Sequence, residues 1–191
     1  MKVLGLSGSL RQGSHNSRLL ESASRVLPGD AELEIFDGIR DLPHYDEDID
    51  DIGSPDPAVA RLREAIAGAD ALLFVTPEYN GSIPGALKNA IDWASRPAGK
   101  GAVRNKPAVA ISASPGQYGG VWAQADLRRV LSIAGARVVD EEFAVSRAHE
   151  IREQHDDVLA PDQEGPLAEI LEMMIEDARV NAAAANAPLA A

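Results

Sequence analysis

Five short segments, four of them mainly apolar and the second alternating apolar with acidic residues, are separated by segments of helical periodicity along this chain. The strands are predicted at 3–7, 31–36, 69–76, 107–112 and 136–139, with the last one continuing towards 145. The segment 71–75 is apolar throughout, which is typical of a parallel strand buried on both faces. After the first strand the helical stripe consists of Leu19, Leu20, Ala23, Val26 and Leu27. The alternation predicts an α/β fold, a three-layer sandwich with helices on both faces of a five-stranded parallel sheet.

Neither a repeat nor a linker divides the chain, so its 191 residues are expected to form a single domain, 1–191. The alanine-rich segment 181–191 is expected to fray. The apolar run at the amino terminus is too short for a signal peptide, and no apolar stretch has the length of a membrane span. These features predict no membrane partner and a cytoplasmic location.

Charge and cysteine content exclude several kinds of chemistry. The formal net charge is −12 at pH 7, from 18 basic and 30 acidic residues. This balance disfavours nucleic acid as a partner, because binding to a phosphate backbone relies on clustered positive charge. The chain has no cysteine and only four scattered histidines, so neither thiol chemistry nor a metal site is predicted. Any redox activity must therefore use a cofactor.

Three polar loops follow the first, third and fourth predicted strands. They span 8–16, 76–81 and 112–120, and each contains glycine together with serine or asparagine. In an open parallel sheet the carboxyl ends of the strands share one edge, and ligands bind there. Together the loops predict one ligand with a phosphate at one end and a flat polar ring at the other.

The first loop has the composition of a phosphate-binding turn that leads into a helix. Its glycine spacing resembles that of a nucleoside-triphosphate loop, but Ser14 stands where such a loop requires lysine. Backbone amides at a helix N-terminus stabilise an anion. Neutral donors on Ser9, Ser14 and Asn16 and the positive charge of Arg11 would add to them. The same residues also fit a plain turn in which Ser14 or Asn16 caps the helix.

These motifs resemble those of the NADPH-dependent FMN reductases, including the quinone and chromate reductases, which have a flavodoxin-like fold. The resemblance rests on Gly-Ser-Leu-Arg-x-Gly-Ser-x-Asn at 8–16, on Thr-Pro-Glu-Tyr-Asn-Gly-Ser-Ile-Pro-Gly-Ala-Leu-Lys-Asn-Ala-Ile-Asp-Trp at 76–93 and on the glycine-rich loop at 112–120. It extends from about residue 3 to 145, and beyond 146 only a terminal helix corresponds. It implies FMN as the bound cofactor and NAD(P)H as the hydride donor.

The resemblance assigns one part of the cofactor to each loop. It implies that 9–16 hold the FMN phosphate, that 77–80 line the isoalloxazine ring and that 112–116 meet its pyrimidine side. The cofactor-binding residues predicted in this way are Ser9, Arg11, Ser14, His15, Asn16, Pro77, Glu78, Tyr79, Asn80, Ser112, Ala113, Ser114 and Gly116. No catalytic side chain is predicted, because the cofactors carry the hydride chemistry; Glu78 is expected to line the cofactor and not to act as a base.

The residues of the second loop fit this assignment and also fit a plain strand-to-helix turn. Pro77 and Pro84 stiffen its two ends, and Asn80 and Gly81 tolerate the positive φ of a tight turn. Tyr79 offers a flat face either to a ring or to the edge of the core. The serines and glycines of the third loop allow the same two interpretations.

Two tryptophans and one basic segment are candidates for contacts with other molecules. Helical geometry places Trp93 and Trp122 away from the core stripes of their helices, which indicates either a self-association surface or the rim of the flavin site. The family resemblance likewise implies a homodimer or homotetramer. The basic segment 96–106 either recruits the phosphates of NADPH or is a solvated loop.

The motifs and the resemblance predict an FMN-dependent NAD(P)H oxidoreductase. It would pass hydride from NAD(P)H through FMN to a small-molecule electron acceptor, a quinone first of all, with chromate, azo compounds and free flavin as further acceptors. Two alternatives stay open. One is a flavodoxin-type one-electron carrier, which the acidic composition fits, and the other is a non-enzymatic sensor that binds a phosphorylated metabolite in the same cleft.

Overall fold

The computed structural model describes residues 1–51 and 53–185. The strands are β1 (Lys2–Ser7), β2 (Glu32–Phe36), β3 (Ala71–Thr76), β4 (Pro107–Ala113), β5 (Arg137–Val138) and β6 (Ala144–Val145). The α-helices are α1 (His15–Val26), α2 (Pro57–Ala67), α3 (Gly85–Ala94), α4 (Val121–Ala134), α5 (Ala148–His155) and α6 (Pro161–Ala185). Two short 3₁₀ turns, Gly38–Asp41 and Glu47–Ile49, lie between β2 and α2.

The strands form one parallel sheet in the order β2-β1-β3-β4-β5, and β6 also pairs with β4. The predicted parallel α/β architecture is confirmed. The last predicted strand is divided into β5 and β6, because the exposed acidic residues 140–142 leave the sheet between them. Ser7 lies opposite Val75 and Thr76 lies opposite Ser112, so β1, β3 and β4 end side by side. The three predicted loops therefore leave the same edge of the sheet.

Helices cover both faces of the sheet. Apolar side chains of α1 and α6 pack on one face around Val3, Leu73 and Ile111, whereas those of α2, α3 and α4 pack on the other face around Leu4 and Phe74. Burial of each such side chain stabilises the fold by roughly 1.5–3 kcal/mol. Glycine at position 5 is needed for this packing, because a Cβ there would lie 2.7 Å from Cδ1 of Leu20 on α1.

Trp93 is buried in the core of this protein, and the prediction that it lies off the core is wrong. Its side chain is 1% exposed, and its Nε1 donates a hydrogen bond of 2.8 Å to the carbonyl oxygen of Pro43. The ring of Tyr45 packs edge-on against it at a centroid distance of 4.9 Å, and Asn89 also donates to the Pro43 oxygen. The irregular segment 42–45 thus covers a side of α3 that helical periodicity alone assigns to solvent.

Two helical regions differ from the expectation. The helix α5 was not predicted, because Ala148 and Ile151 are its only apolar residues and no stripe is visible. The last helix begins at Pro161, before its apolar stripe, and continues to Ala185 inside the segment that was expected to fray. Residues 186–191 lie outside the described residues.

The burial of Trp93 predicts a large loss of stability when its side chain is removed. Trp93→Ala should lower the free energy of unfolding by about 3–5 kcal/mol, because it leaves a cavity and removes the bond to Pro43. Met173→Ala, at an exposed position of α6, should change it by about 0.5 kcal/mol or less. Chemical denaturation followed by circular dichroism measures both, and equal losses in the two variants would contradict the packing described here.

Candidate cofactor-binding site

The three predicted loops meet in one cleft at the carboxyl edge of the sheet. Its volume is about 440 Å³, within the range of small-molecule sites, which is roughly 300–1,000 Å³. The residues that line it are Ser9, Arg11, Ser14, His15, Asn16, Pro77, Glu78, Tyr79, Ala113, Ser114 and Pro115. They come from the ends of β1, β3 and β4, as expected for a ligand site in an open parallel sheet.

A larger depression of about 720 Å³ lies near the other end of β1 and β2, around Met1, Asp30 and Glu32. The amino terminus of the chain already donates a hydrogen bond to the Asp30 carbonyl there, and Lys2 pairs with Glu34 at 2.7 Å. The polar groups of that depression thus contact one another. The cleft at the carboxyl edge instead combines donors from three loops, so we assign the candidate site to it.

The first loop presents hydrogen-bond donors to the cleft. Ser14 is buried at the N-cap of α1, where its Oγ accepts the backbone N–H of Asn16 at 3.1 Å. The hydroxyl proton of Ser14 is left to donate elsewhere, because a serine can accept and donate at once. Arg40 donates to the Leu10 carbonyl and thereby ties this loop to the 3₁₀ turn Gly38–Asp41. The positive end of the α1 dipole points to the same region.

Asn16 joins the first loop to the third. Its Nδ2 donates to the Ala113 carbonyl at 2.9 Å, and its Oδ1 accepts the Ala113 N–H at 2.9 Å. Asn16 is buried, and the two bonds form a closed pair across the end of β3. The amide oxygen and one amide proton of Asn16 are therefore already hydrogen-bonded to the main chain of this protein. This geometry gives Asn16 a positioning role at the cleft wall.

Glu78 joins the second loop to the start of α4. Its Oε2 accepts the backbone N–H groups of Trp122 and Ala123 at 3.1 and 3.2 Å, in the first turn of α4. A carboxylate at a helix N-terminus is stabilised by unpaired amides and by the helix dipole. The second loop is closed by reciprocal backbone bonds between Tyr79 and Ser82, with Asn80 at φ 54° and Gly81 at φ 76°. The turn predicted from Asn80 and Gly81 is present.

The third loop is held from both sides. The N–H of Ser114 donates to Val145 on β6, and the carbonyl of Ser114 accepts the N–H of Ala148 on α5, both at 3.0 Å. Gly119 and Gly120 adopt left-handed φ angles of 64° and 92°, which direct the chain from the loop into α4. These contacts fix the backbone of the loop where it borders the cleft.

His15 borders the cleft as a neutral imidazole at pH 7. Partial burial lowers its pKa below the ordinary value of 6.5. The positive charges of Arg11, Arg152 and Arg18 lower this pKa further. The Nδ1 atom of His15 is buried and has no hydrogen-bond partner within the described residues. A buried polar atom of this kind calls for a ligand or water partner.

Three of the residues predicted from the sequence do not line the cleft. Ser112 is buried below it, and its Oγ accepts a hydrogen bond of 3.2 Å from Gln124 Nε2. Asn80 and Gly116 are exposed beside it. Pro115 lines the cleft but was not predicted, although it stands between two predicted residues of the third loop. The basic segment 96–106 precedes β4 and therefore lies at the opposite edge of the sheet.

Residues 1–51 and 53–185 include no helix that combines the length and the apolar character of a membrane span. Within the same ranges, no cluster of three or more histidine or acidic residues has the arrangement of a metal site.

Comparison with known proteins identifies relatives of this chain. The family model for NADPH-dependent FMN reductases matches residues 1–150. An NAD(P)H-dependent FMN reductase of Pseudomonas aeruginosa is 52% identical over 131 residues, which are 69% of either chain. A 2-hydroxy-1,4-benzoquinone reductase of a Burkholderia species is 45% identical over 131 residues, 68% of this chain and 69% of the relative.

A solved structure resembles most of this chain. The flavoenzyme FerB of Paracoccus denitrificans, an NAD(P)H:(acceptor) oxidoreductase, superimposes with a TM-score of 0.79 at 33% identity, over 93% of this chain and 97% of FerB. The flavodoxin-like fold predicted from the motifs is thereby confirmed. The predicted cofactors, FMN and NAD(P)H, agree with the description of the matching family and with the name of the Pseudomonas relative. The chain belongs to the NADPH-dependent FMN reductase family.

Proposed function

We propose that this protein is an FMN-dependent NAD(P)H oxidoreductase that reduces quinones or similar small acceptors. The observation that carries the proposal is the convergence of the loops after β1, β3 and β4 in one cleft with donors at one end and an aromatic side chain at its border. Family membership and the names of the relatives support the same activity. A dependence on NAD(P)H supports the cytoplasm as the location.

The cleft fits the two ends of FMN. At the end formed by the first loop, the Ser14 hydroxyl proton, the unpartnered Nδ1 of His15 and the Arg11 guanidinium are suited to a phosphate. At the other end, the cleft is lined by Ala113 and Ser114 of the third loop and by Tyr79 of the second loop. We therefore assign the phosphate to the first loop and the ring to the second and third loops.

Side chains of this protein bind and orient, while the cofactor carries the redox chemistry. FMN, when bound, would supply the redox chemistry that links NAD(P)H to the acceptor. Arg11, Ser9 and Ser14 hold the phosphate, and Pro77 and Tyr79 border the ring. The carboxylate of Glu78 is occupied by two amides of α4 and so positions the second loop instead of moving a proton. Tyr79 is half exposed, and its ring offers a flat acceptor a stacking surface.

The absorption spectrum of the purified protein tests this function. Flavin bands should be present or appear after addition of FMN, bleach with NAD(P)H and return with a benzoquinone. A flavodoxin-type carrier would retain the bands but show almost no oxidation of NAD(P)H with the quinone. A colourless protein that does not bind added FMN would contradict the cofactor assignment and favour a sensor of phosphorylated metabolites.

The assigned phosphate end predicts that Arg11 contributes to retention of FMN. Arg11→Ala should raise the Kd of FMN about 10- to 100-fold, because a charge-assisted hydrogen bond contributes roughly 1.5–3 kcal/mol. Lys100→Ala removes the same charge at the opposite edge of the sheet and should leave the Kd unchanged. Fluorescence titration of the apoprotein measures both values, and an unchanged Kd for the Arg11 variant would refute its phosphate role.

We further propose that the protein forms a homodimer or homotetramer through the outer face of α4. Trp122 and Ile133 lie three turns apart on one stripe of this helix and are 53% and 75% exposed. Trp122 contacts the exposed ring of Tyr118 at a centroid distance of 5.0 Å. A groove between α3 and α4, which includes Ile91 and Ile133, continues this surface. Exposed aromatic and aliphatic side chains of this kind are enriched in subunit interfaces.

Analytical ultracentrifugation tests the proposed interface. The unmodified protein should sediment as a dimer or tetramer, and Ile133→Glu should shift it towards the monomer, because a buried unpaired carboxylate opposes association. Met173→Glu, on the exposed face of α6, serves as the matched control and should leave the oligomer intact. A monomeric unmodified protein would contradict the proposed association. If only the Met173 variant dissociates, the interface lies at α6 and not at α4.

A further inference from the structure

The turn formed by residues 79–82 carries Tyr79 into the ring end of the cleft. Tyr79 lines the cleft, and its backbone is paired with that of Ser82 by reciprocal hydrogen bonds of 3.0 and 3.2 Å. Between them, Asn80 and Gly81 are exposed and adopt left-handed backbone angles. A positive φ at a residue other than glycine persists where surrounding contacts hold it. An anchor outside the turn is therefore expected.

Asp126 of α4 supplies that anchor. The Ser82 hydroxyl donates a hydrogen bond of 2.5 Å to Oδ2 of Asp126, and the Arg129 guanidinium donates to Oδ1. The side chain of Asp126 is 25% exposed. Both bonds are charge-assisted, and such bonds are shorter and stronger than bonds between neutral groups. They hold the pKa of Asp126 below its ordinary value, so its carboxylate stays ionised at neutral pH.

Two successive turns of α4 hold the chain on the two sides of Tyr79. On one side, Glu78 accepts two backbone N–H groups in the first turn of α4. On the other side, Ser82 is bonded to Asp126, which lies about one turn further along the helix. Residues 78 and 82 are thus both fixed to one helix, and Tyr79 lies between them.

We propose that Asp126, acting through Ser82, is a positioning residue for the ring end of the cleft. The inference rests on the proposed function, in which Tyr79 borders the flavin ring and offers the acceptor a stacking surface. Without the bond between Ser82 and Asp126, the turn is anchored on one side only. Part of the free energy of flavin binding is then spent on ordering the turn.

The phosphate end of the cleft is held by other contacts. Asn16 bonds the main chain of Ala113, and Arg40 donates to the Leu10 carbonyl. Loss of the Asp126 contact should therefore weaken binding of the flavin ring and leave the contribution of the phosphate unchanged. Riboflavin has the ring of FMN without the phosphate, so a comparison of the two flavins separates the two ends of the cleft.

Fluorescence titration of the apoprotein with FMN and with riboflavin tests the inference. Asp126→Ala should raise the Kd of both flavins about five- to tenfold and by the same factor, as expected for the loss of one charge-assisted bond. Ser82→Ala should have the same effect, and the double variant should add little to it, because the two side chains act as one unit. Asp126→Asn keeps an acceptor for the Ser82 hydroxyl and should stay within about twofold of the unmodified protein.

Asp92→Ala is the matched control. Asp92 borders the same groove between α3 and α4 as Arg129, but its carboxylate pairs with Lys88 on its own helix at 2.6 Å. Its removal should leave the Kd of both flavins unchanged. If Asp126→Ala sediments as a monomer and the monomeric Ile133→Glu variant shows the same rise in Kd, Asp126 acts through association and the inference is wrong.

Turnover distinguishes positioning from a contribution to stability alone. In the FMN-loaded protein, Asp126→Ala should raise the KM for a benzoquinone about threefold or more and leave kcat within about twofold, because the stacking surface of Tyr79 is displaced while the flavin remains. A lower midpoint of chemical denaturation with unchanged flavin Kd and quinone KM would show that the bond only stabilises the fold. A rise in the Kd of FMN alone would also overturn the inference, because the effect would then lie at the phosphate end.

These outcomes separate the inference from the proposed function. If the unmodified protein binds both flavins and Asp126→Ala binds them as tightly, the reductase function stands and the positioning role fails. If the unmodified protein binds neither flavin, the cofactor assignment fails and the positioning role fails with it. If it binds flavin that NAD(P)H does not reduce, only the reductase function fails, and the two Kd values still decide the role of Asp126.

Discussion

The candidate site depends on the pair of hydrogen bonds between the Asn16 side chain and the main chain of Ala113. β1 and β4 are not neighbours, because β3 lies between them, so no sheet hydrogen bond joins their loops. The buried amide spans that gap with two bonds of 2.9 Å. A buried polar pair of this kind is costly to break, because each freed group would lose its partner without gaining water. The first and third loops are therefore held at one separation before any ligand binds.

Glu78 applies the same principle to the second loop. Its carboxylate caps α4, so the loop after β3 and the helix after β4 are joined by a charge that the helix end stabilises. A ligand that needs all three loops then meets a preformed cleft and loses less free energy to ordering them. The cap also gives an acidic residue at the border of the candidate site its partners within the protein. Its charge is directed to backbone amides of α4.

Charge is distributed unevenly over this molecule. The net charge of −12 would repel a nucleotide, yet Arg11 lines the cleft and Arg18 lies in the first turn of α1. Burial and these charges together lower the pKa of His15, which keeps its ring neutral at pH 7. A negative surface with one positive region guides an anionic ligand to that region, since the long-range field favours approach there. The acidic composition is therefore compatible with a nucleotide-dependent enzyme.

The amino-acid sequence by itself determined the parallel α/β fold and the three loops that line the candidate site, because apolar periodicity and turn residues act over short distances along the chain. Only the tertiary structure decided the position of Trp93, which the segment 42–45 covers, and the partners of Asn16 and Glu78. It also decided that 148–155 form the helix α5, although this segment has no apolar stripe. Such contacts join residues far apart in the chain, and their geometry exists only after the sheet and its helices have packed.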